Sequence, residues 1–135
     1  MGTARVQGQR DVALTELAFR GIAINDATAN TAAVTVYASD SGIFFINKFA
    51  TATTYTLPAV ADCAGKWFWF FNVGAGGMII ASPGSLDNIV CINDIAADTV
   101  TYATANLMIG SACLVVGDGT NYFVINIGST TATVA

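Results

Sequence analysis

A run of aromatic residues in the middle of the chain constrains the fold most. Residues 66–72 read Lys-Trp-Phe-Trp-Phe-Phe-Asn, so a strand here is apolar on both of its faces. One face would carry Trp67, Trp69 and Phe71, and the other Phe68 and Phe70. Such a strand is predicted to be buried on both sides or to lie at a subunit contact. An interior position is the simpler interpretation, and an aromatic platform for a ligand is the alternative.

The segment before this run predicts its partner strand. Residues 54–57 alternate as Thr-Tyr-Thr-Leu, which is the pattern of a β-strand. Pro58 lacks an amide hydrogen and would end that strand, and Gly65 can adopt the positive φ of a tight return. We therefore predict a β-hairpin between residues 54–57 and 66–72, against which the other strands pack.

Short strands separated by turn residues fill the rest of the chain. The remaining predicted strands are 33–38, 43–47, 78–81, 88–93, 99–103, 112–116 and 122–127. Asp118 and Gly119 lie at the centre of the clearest hairpin turn. About nine strands with frequent turns predict an all-β fold, namely a single antiparallel β-sandwich or jelly-roll-like barrel with an N-terminal arm. No internal repeat of 20–50 residues is evident.

The N-terminal residues differ in composition from the rest. Residues 1–31 contain the three arginines, the one glutamate and both glutamines of the chain. Asp11 could cap a short helix over residues 12–20, or the same stretch could be an extended arm. The predicted organisation is therefore an arm or short helix plus linker at 1–31, a sandwich domain at 32–127, and a tail of small residues at 128–135.

Charge is scarce in this chain. Only 10% of its 135 residues are charged and 54% are hydrophobic, whereas about a quarter of an ordinary soluble domain is charged. We expect other subunits to cover part of the apolar surface. The apolar runs are too short for a membrane-spanning helix, and the start lacks the apolar core of a signal peptide, so no membrane partner is expected. The net charge of −4, without a basic cluster, predicts no nucleic-acid partner.

Candidate catalytic and metal-binding residues are few. The chain has no histidine, which removes histidine-dependent nucleophilic triads and most catalytic zinc sites. Its aspartates fall mostly in turns and are predicted to cap them; a paired-carboxylate glycosidase is the alternative. A calcium site at Asp87, Asp94 and Asp98 would lack the EF-hand spacing.

The cysteines complete this search for chemistry. Cys63, Cys91 and Cys113 are odd in number and widely spaced, so they predict buried free thiols of a protein matured in a reducing cytoplasm. Together with the turn aspartates, they predict a protein that is not an enzyme and uses no cofactor.

Four stretches carry a family resemblance. They are residues 38–47 (ASDSGIFFIN), 54–59 (TYTLPA), 65–72 (GKWFWFFN) and 117–124 (GDGTNYFV). Together they resemble a β-domain that recurs in structural proteins of tailed-bacteriophage virions, namely capsid decoration, head-fibre and tail-fibre or spike proteins. The resemblance covers residues 38–124, with Tyr122 where tryptophan is commoner, and leaves out residues 1–31.

The resemblance implies a function and a set of partners. The chain would be a non-enzymatic capsid decoration, or cement, protein that binds the outer head surface and stabilises it in the virion, after assembly in the host cytoplasm. Its partners would be its own copies, as a homotrimer, and the major capsid protein. The predicted partner-binding residues are Arg5, Arg10, Leu14, Leu17, Phe19 and Arg20. We expect deletion of residues 1–20 to abolish capsid binding and to leave the oligomer intact.

The same resemblance leaves an alternative open. The chain could be a tail-fibre, head-fibre or spike module whose loops at residues 74–77 and 82–85 contact glycans or proteins of the host surface. Copy number distinguishes the two, because a capsid coat has hundreds of copies per virion and a fibre has at most a few dozen.

Overall fold

Two packed β-sheets make up the protein. The computed structural model describes residues 19–26, 32–128 and 132–135, and these form a seven-stranded sheet (sheet A) and a five-stranded sheet (sheet B). The strands are β1 Gly21–Asn25, β2 Ala33–Thr35, β3 Ile43–Asn47, β4 Thr53–Thr56, β5 Trp67–Asn72, β6 Met78–Ala81, β7 Ile89–Cys91, β8 Asp94–Ala97, β9 Thr99–Tyr102, β10 Ala112–Gly117, β11 Tyr122–Asn126 and β12 Thr133–Val134. Short 3₁₀ turns lie at Ala38–Asp40 and Val60–Asp62. The predicted all-β, sandwich-like fold is confirmed.

The sheets are mixed, whereas the sequence predicted antiparallel ones. The strand order is β1-β3-β5-β10-β11-β7-β8 in sheet A and β12-β9-β6-β4-β2 in sheet B. Strands β1 to β6 alternate between the sheets and pair in parallel within each, so the chain winds through three stacked coils. The expectation of no internal repeat is therefore wrong. The C-terminal strands add mostly antiparallel pairs, including the predicted β10–β11 hairpin.

The predicted hairpin between residues 54–57 and 66–72 is wrong. Strand β4 lies in sheet B between β2 and β6, whereas β5 lies in sheet A between β3 and β10. The connection after Pro58 crosses from one sheet to the other. Tyr55 and Phe70 consequently meet across the core, with ring centroids 5.2 Å apart, instead of side by side in one sheet. Strands β4 and β5, which are adjacent in sequence, thus contact each other through core side chains and not through backbone hydrogen bonds.

A row of buried asparagines joins the three coils. Asn25, Asn47 and Asn72 end strands β1, β3 and β5 and are all buried. Nδ2 of Asn25 donates to Oδ1 of Asn47 (3.1 Å), and Nδ2 of Asn47 donates to Oδ1 of Asn72 (2.9 Å). Asn72 in turn donates to the carbonyls of Gly74 and Met108. Because buried amides are costly unless they are paired, this ladder fixes the register of the coils.

The corner after β5 packs tightly on the coil before it. A Cβ on Gly74 would overlap the carbonyl of Phe49, and one on Gly76 would overlap the backbone at Thr51 and Ala52. Glycine is required at these positions for close approach of two backbones, in addition to the turn that the sequence predicted there.

The core lies between the two sheets. Sheet A contributes chiefly the even-numbered aromatics of β5, Phe68 and Phe70, and sheet B contributes Tyr55, Met78 and Ile80. Tyr122 is also fully buried, and its hydroxyl donates to the carbonyl of Pro58 at 2.6 Å. The predicted interior position is confirmed for one face of β5.

Both ends of the predicted sandwich domain need correction. Residues 21–25, assigned from the sequence to the arm and linker, form β1 and pair with β3. In the tail, Thr133 and Val134 form β12 and pair with Thr101 and Val100 of β9. The predicted helix over residues 12–20 lies outside the described residues except for Phe19 and Arg20, which are not helical. In the part of the chain that the structure describes, no helix is long and apolar enough to cross a membrane.

Candidate functional site

The outward side of sheet A is apolar across five of its seven strands, from β1 to β11. We call it the outer apolar face and define it by side chains that alternate with those of the core. Its members are Ile22, Ile24, Phe44, Ile46, Trp67, Trp69, Phe71, Leu114, Val116, Phe123 and Ile125. None of them is charged, and together they expose an area on the order of several hundred Å².

Strand register brings these residues together from distant parts of the sequence. Ile22 is paired with Phe44, and Phe44 with Trp69. Trp69 is paired in turn with Leu114, and Leu114 with Ile125. Residues paired in this way point to the same side of a sheet, so one continuous apolar row crosses five strands.

Phe19, two residues before β1, packs on this face. The ring of Phe19 lies 4.9 Å from that of Phe44 and 5.9 Å from that of Trp69, in edge-to-face contacts. A third contact, at 6.1 Å, joins it to Trp67. Phe19 nevertheless keeps 52% of its surface exposed. The first described residue of the chain therefore already packs on the outer apolar face without closing it.

Two grooves cut into the face. One, of about 450 Å³, lies between Phe19, Ile22, Phe44 and Ile46. The other, of about 300 Å³, is lined by Gly65, Trp67, Trp69, Leu114 and Val116. Few polar groups point into either groove, and small-molecule sites need such groups to orient a ligand. The grooves are therefore better suited to apolar side chains of a neighbouring protein.

Four aspartate side chains accept hydrogen bonds from backbone amides. Oδ1 of Asp118 accepts the amides of Thr120 (2.8 Å) and Asn121 (2.7 Å), and these hydrogen bonds lower the pKa of its carboxyl. Carboxylates of Asp40, Asp94 and Asp98 likewise accept backbone amides. The predicted turn-capping role is confirmed for Asp40, Asp94 and Asp118. Asp98, which the sequence did not assign to a turn, accepts the amide of Asp87. The described residues contain no group of three side chains suited to hold a metal ion.

The cysteines are buried and free, as predicted. Burial raises the pKa of the Cys113 thiol to about 12 and also raises the pKa of Cys91. Because the thiolate is the reactive form, these thiols are poor nucleophiles at neutral pH.

Sequence reasoning located the partner-binding residues only in part. Arg5, Arg10, Leu14 and Leu17 lie outside the described residues. Phe19 lies on the outer apolar face. Arg20 lies beside it and donates to the backbone carbonyls of Ser39 (3.4 Å) and Ser41 (2.9 Å).

The exposed ends of the face were missed by sequence reasoning. They are formed by Ile22 and Ile24 on β1 and by Phe123 and Ile125 on β11. The signal was available, because both strands are apolar at successive positions as β5 is. The sequence predicted a strand with two apolar sides only for the aromatic run at residues 66–72.

Comparisons with known proteins add no identification. No protein family, curated protein or solved structure matches this chain. The fold and the outer apolar face by themselves define a class of protein: an all-β sandwich in which one sheet is apolar on both sides.

Proposed function

We propose that this chain is a non-enzymatic structural protein of a phage virion, most specifically a capsid decoration protein, and that it works by assembly. Copies of the chain bury the outer apolar face against one another, and the resulting oligomer binds the outer surface of the head. The observation that carries the proposal is the apolar face itself, which lies outside a core that is already complete.

The size and chemistry of the face support self-association. Monomeric proteins rarely expose contiguous apolar patches larger than a few hundred Å². A standard interface buries roughly 800 Å² on each partner, and this face extends across five strands with Phe19 packed on it. Because the face has no charged residue, two copies can cover it without burying an unpaired charge.

The virion setting comes from the resemblance of residues 38–124 to phage structural domains. It implies three copies per oligomer and the major capsid protein as the second partner. The arm residues Arg5, Arg10, Leu14 and Leu17 would then contact the shell. Each decoration oligomer adds contacts between neighbouring capsid subunits, and internal pressure has to break these contacts before the shell opens.

The placement of acidic and thiol groups supports a role without catalysis. Asp118, Asp40, Asp94 and Asp98 are engaged with backbone amides, and Cys113 is held as a neutral thiol. A glycosidase needs two carboxyl groups facing a common substrate, whereas each of these four carboxyl groups accepts a backbone amide.

Tryptophan fluorescence offers a direct test of assembly. The chain has two tryptophans, Trp67 and Trp69, and both belong to the outer apolar face. Dilution of the purified protein through its dissociation range should shift the emission to longer wavelength as the oligomer separates. Sedimentation in parallel should show the same midpoint. A single-copy species at all concentrations would contradict the proposal.

A second test addresses the virion. The tagged full chain is mixed with phage heads that lack it, and the bound copies are counted by gel densitometry. We expect saturation at hundreds of copies. Deletion of residues 1–18 is the informative truncation, because it keeps Phe19 and Arg20 in place. We expect the truncated chain to form its oligomer and to lose head binding.

A fibre or spike module is the second candidate function. It is favoured by a groove of about 380 Å³ between Ala75, Ala105, Met108 and Ile109, at the loop that the sequence singled out for host contact. Ile109 is 66% exposed beside it. A few to a few dozen copies per particle, with no copies on isolated heads, would favour this function over decoration.

A further inference from the structure

We propose that two copies of the chain pair through strand β1. The two β1 strands run antiparallel and are related by a twofold axis, so that sheet A of one copy continues into sheet A of the other. The inference rests on the proposed function, because it names the partner of β1 as a second copy of the same chain. The proposed contact uses backbone groups at the edge of sheet A, whereas the outer apolar face is formed by side chains on the outward side of that sheet.

Strand β1 is a regular strand at the edge of sheet A as the structure describes it. In the described part of the chain it pairs only with β3, and it leaves a row of backbone groups facing outward. Its sequence, Gly-Ile-Ala-Ile-Asn, contains no charge and no proline. Ile22 is 65% exposed. Such an edge is a template for another strand.

The other sheet edges are blunted in ways that β1 is not. The register of β8 is interrupted against β7, and its first residue is Asp94. In sheet B, β12 has two residues and β2 has three. Natural proteins protect edges by bulges, inserted charges and short strands. Among the four edge strands of the described residues, only β1 lacks all three, which singles it out as the docking edge.

The sequence around β1 is complementary to itself when reversed. Residues 20–26 read Arg-Gly-Ile-Ala-Ile-Asn-Asp, with a cation at one end and a carboxylate at the other. Antiparallel pairing centred on Ala23 places Ile22 of each copy opposite Ile24 of the other. It also places Arg20 opposite Asp26 at both ends. The two apolar pairs favour this register over a shifted one, and the two opposite-charge positions add a smaller preference, because the guanidinium of Arg20 also donates to Ser39 and Ser41.

Backbone direction fits the same register. The amide of Lys48 donates to the carbonyl of Asn25, so Asn25 faces β3. In a parallel pair, alternate residues face the same neighbour, and Ile22 and Ile24 therefore direct their backbone groups away from β3. These are the two residues that the proposed register sets opposite each other as a hydrogen-bonded pair.

Pairing through β1 also extends the outer apolar face. Ile22 and Ile24 lie at its margin, and the twofold axis joins the margins of both copies into one surface. Assemblies should therefore contain an even number of copies, whatever number associates through the face. If three copies associate through the face, as the resemblance implies, the complete particle has six.

Charge exchange between copies tests the proposal. Arg20→Asp sets two carboxylates against each other at both ends of the joint, and Asp26→Arg sets two cations. Each variant alone should weaken pairing at least about tenfold, whereas an equimolar mixture should pair much better than either variant. The mixture should stay below the wild type, because Arg20→Asp also removes the hydrogen bonds to Ser39 and Ser41. Mass photometry of the full-length chains at low salt measures this. If the mixture is no better than either variant, the register is wrong.

Cysteine cross-linking gives a test that does not depend on charge. Under mild oxidation, an equimolar mixture of Ile22→Cys and Ile24→Cys chains should form a disulfide-linked dimer, because a hydrogen-bonded pair has Cα atoms about 5.5 Å apart. Neither chain alone should form one. The native cysteines are buried and serve as the internal control. Cross-linking of either chain with itself, or of the shell protein with β1, would overturn the proposal.

The outcomes separate this inference from the proposed function. If variants of the outer apolar face abolish assembly but β1 variants have no effect, the edge pairing fails and the proposed function stands. If the chain pairs through β1 but is absent from virions, the edge pairing stands and the proposed function fails.

Discussion

The two outer faces of the sandwich differ although they are built from the same coils. The outward side of sheet B carries mostly threonine, with residues Ala33, Thr35, Thr54, Thr56, Ile79, Ala81, Thr99, Thr101 and Thr133. The outward side of sheet A carries tryptophan, phenylalanine, isoleucine and leucine at equivalent positions. Threonine suits a strand and keeps its hydroxyl in water. Sheet B therefore presents a polar outer surface to water, whereas sheet A presents an apolar one, which the proposed function assigns to contacts between copies.

This difference separates stability from assembly within single strands. On β5, Phe70 points into the core and is fully buried, whereas its neighbour Trp69 points outward. Substitution at the first should unfold the chain and substitution at the second should dissociate the oligomer.

The largest expected effect comes from replacing apolar residues on the outward side of sheet A with threonine, the commonest residue on the outward side of sheet B. Trp69→Thr combined with Leu114→Thr removes two paired side chains from the middle of the outer apolar face. The dissociation constant for self-association should rise about 100-fold or more, since two large apolar side chains no longer leave water. Analytical ultracentrifugation measures this change, and circular dichroism should show an intact fold.

Ile79→Thr is the matched control, because it makes a similar change on the outward side of sheet B. It should leave association unchanged. Equal weakening by the control and by the double variant would mean that the two faces do not differ in function.

Phe70→Ala tests the inner side of the same strand. The ring packs against Phe45 at 5.1 Å and Tyr55 at 5.2 Å. Its removal from a core of this kind should lower the free energy of unfolding by about 3–5 kcal/mol. Urea denaturation at a protein concentration below the dissociation range measures the monomer. Phe71→Ala on the outward side is the control and should cost less than half as much; an equal cost would contradict the assignment of faces.

Asn47→Ala tests the ladder that holds both faces in register. The substitution leaves Nδ2 of Asn25 and Oδ1 of Asn72 without their Asn47 partner in a buried setting. The free energy of unfolding should fall by about 2–4 kcal/mol. Since the coils carry both faces, assembly should weaken only in proportion to unfolding. The exposed Asn106→Gly is the comparison, because Asn106 has a φ of 65° that glycine also tolerates, and its stability should stay near that of the wild type.

The smallest effect concerns pH. Backbone hydrogen bonds lower the pKa of Asp118 in the folded state, so its contribution to stability is present at neutral pH and is lost as the pH falls through that pKa. Asp118→Asn should therefore lower the melting temperature slightly at pH 7, with a difference from the wild type that shrinks toward pH 3. The outer apolar face has no titratable residue, so self-association should not change between pH 6 and 8.

Local patterns predicted the strands well but not their partners. The turn at Asp118 and Gly119 was predictable because its hydrogen bonds and the positive φ of Gly119 depend on adjacent residues. The pairing of β5 was not predictable, because its neighbours β3 and β10 lie far away in sequence. The supposed hairpin with residues 54–57 satisfied every local rule and is wrong. Alternation specifies which residues share a face, but not which strand lies alongside.

The coiled half of the molecule shows the same limit. Asn25, Asn47 and Asn72 recur about every 22 to 25 residues at the ends of apolar strands, and this was the visible trace of the repeat. It was missed because the other positions of the coils differ. The outer apolar face was likewise present in the sequence as strands with two apolar sides, but its continuity depends on register across five strands.

The amino-acid sequence by itself determined that the chain is all-β, that its turns fall where glycine and aspartate stand, and that it has more apolar surface than one core can use. Only the tertiary structure decided where the excess lies. The reason is that periodicity acts between neighbours along the chain, whereas a sheet face is assembled from strands that meet only after the coils have closed.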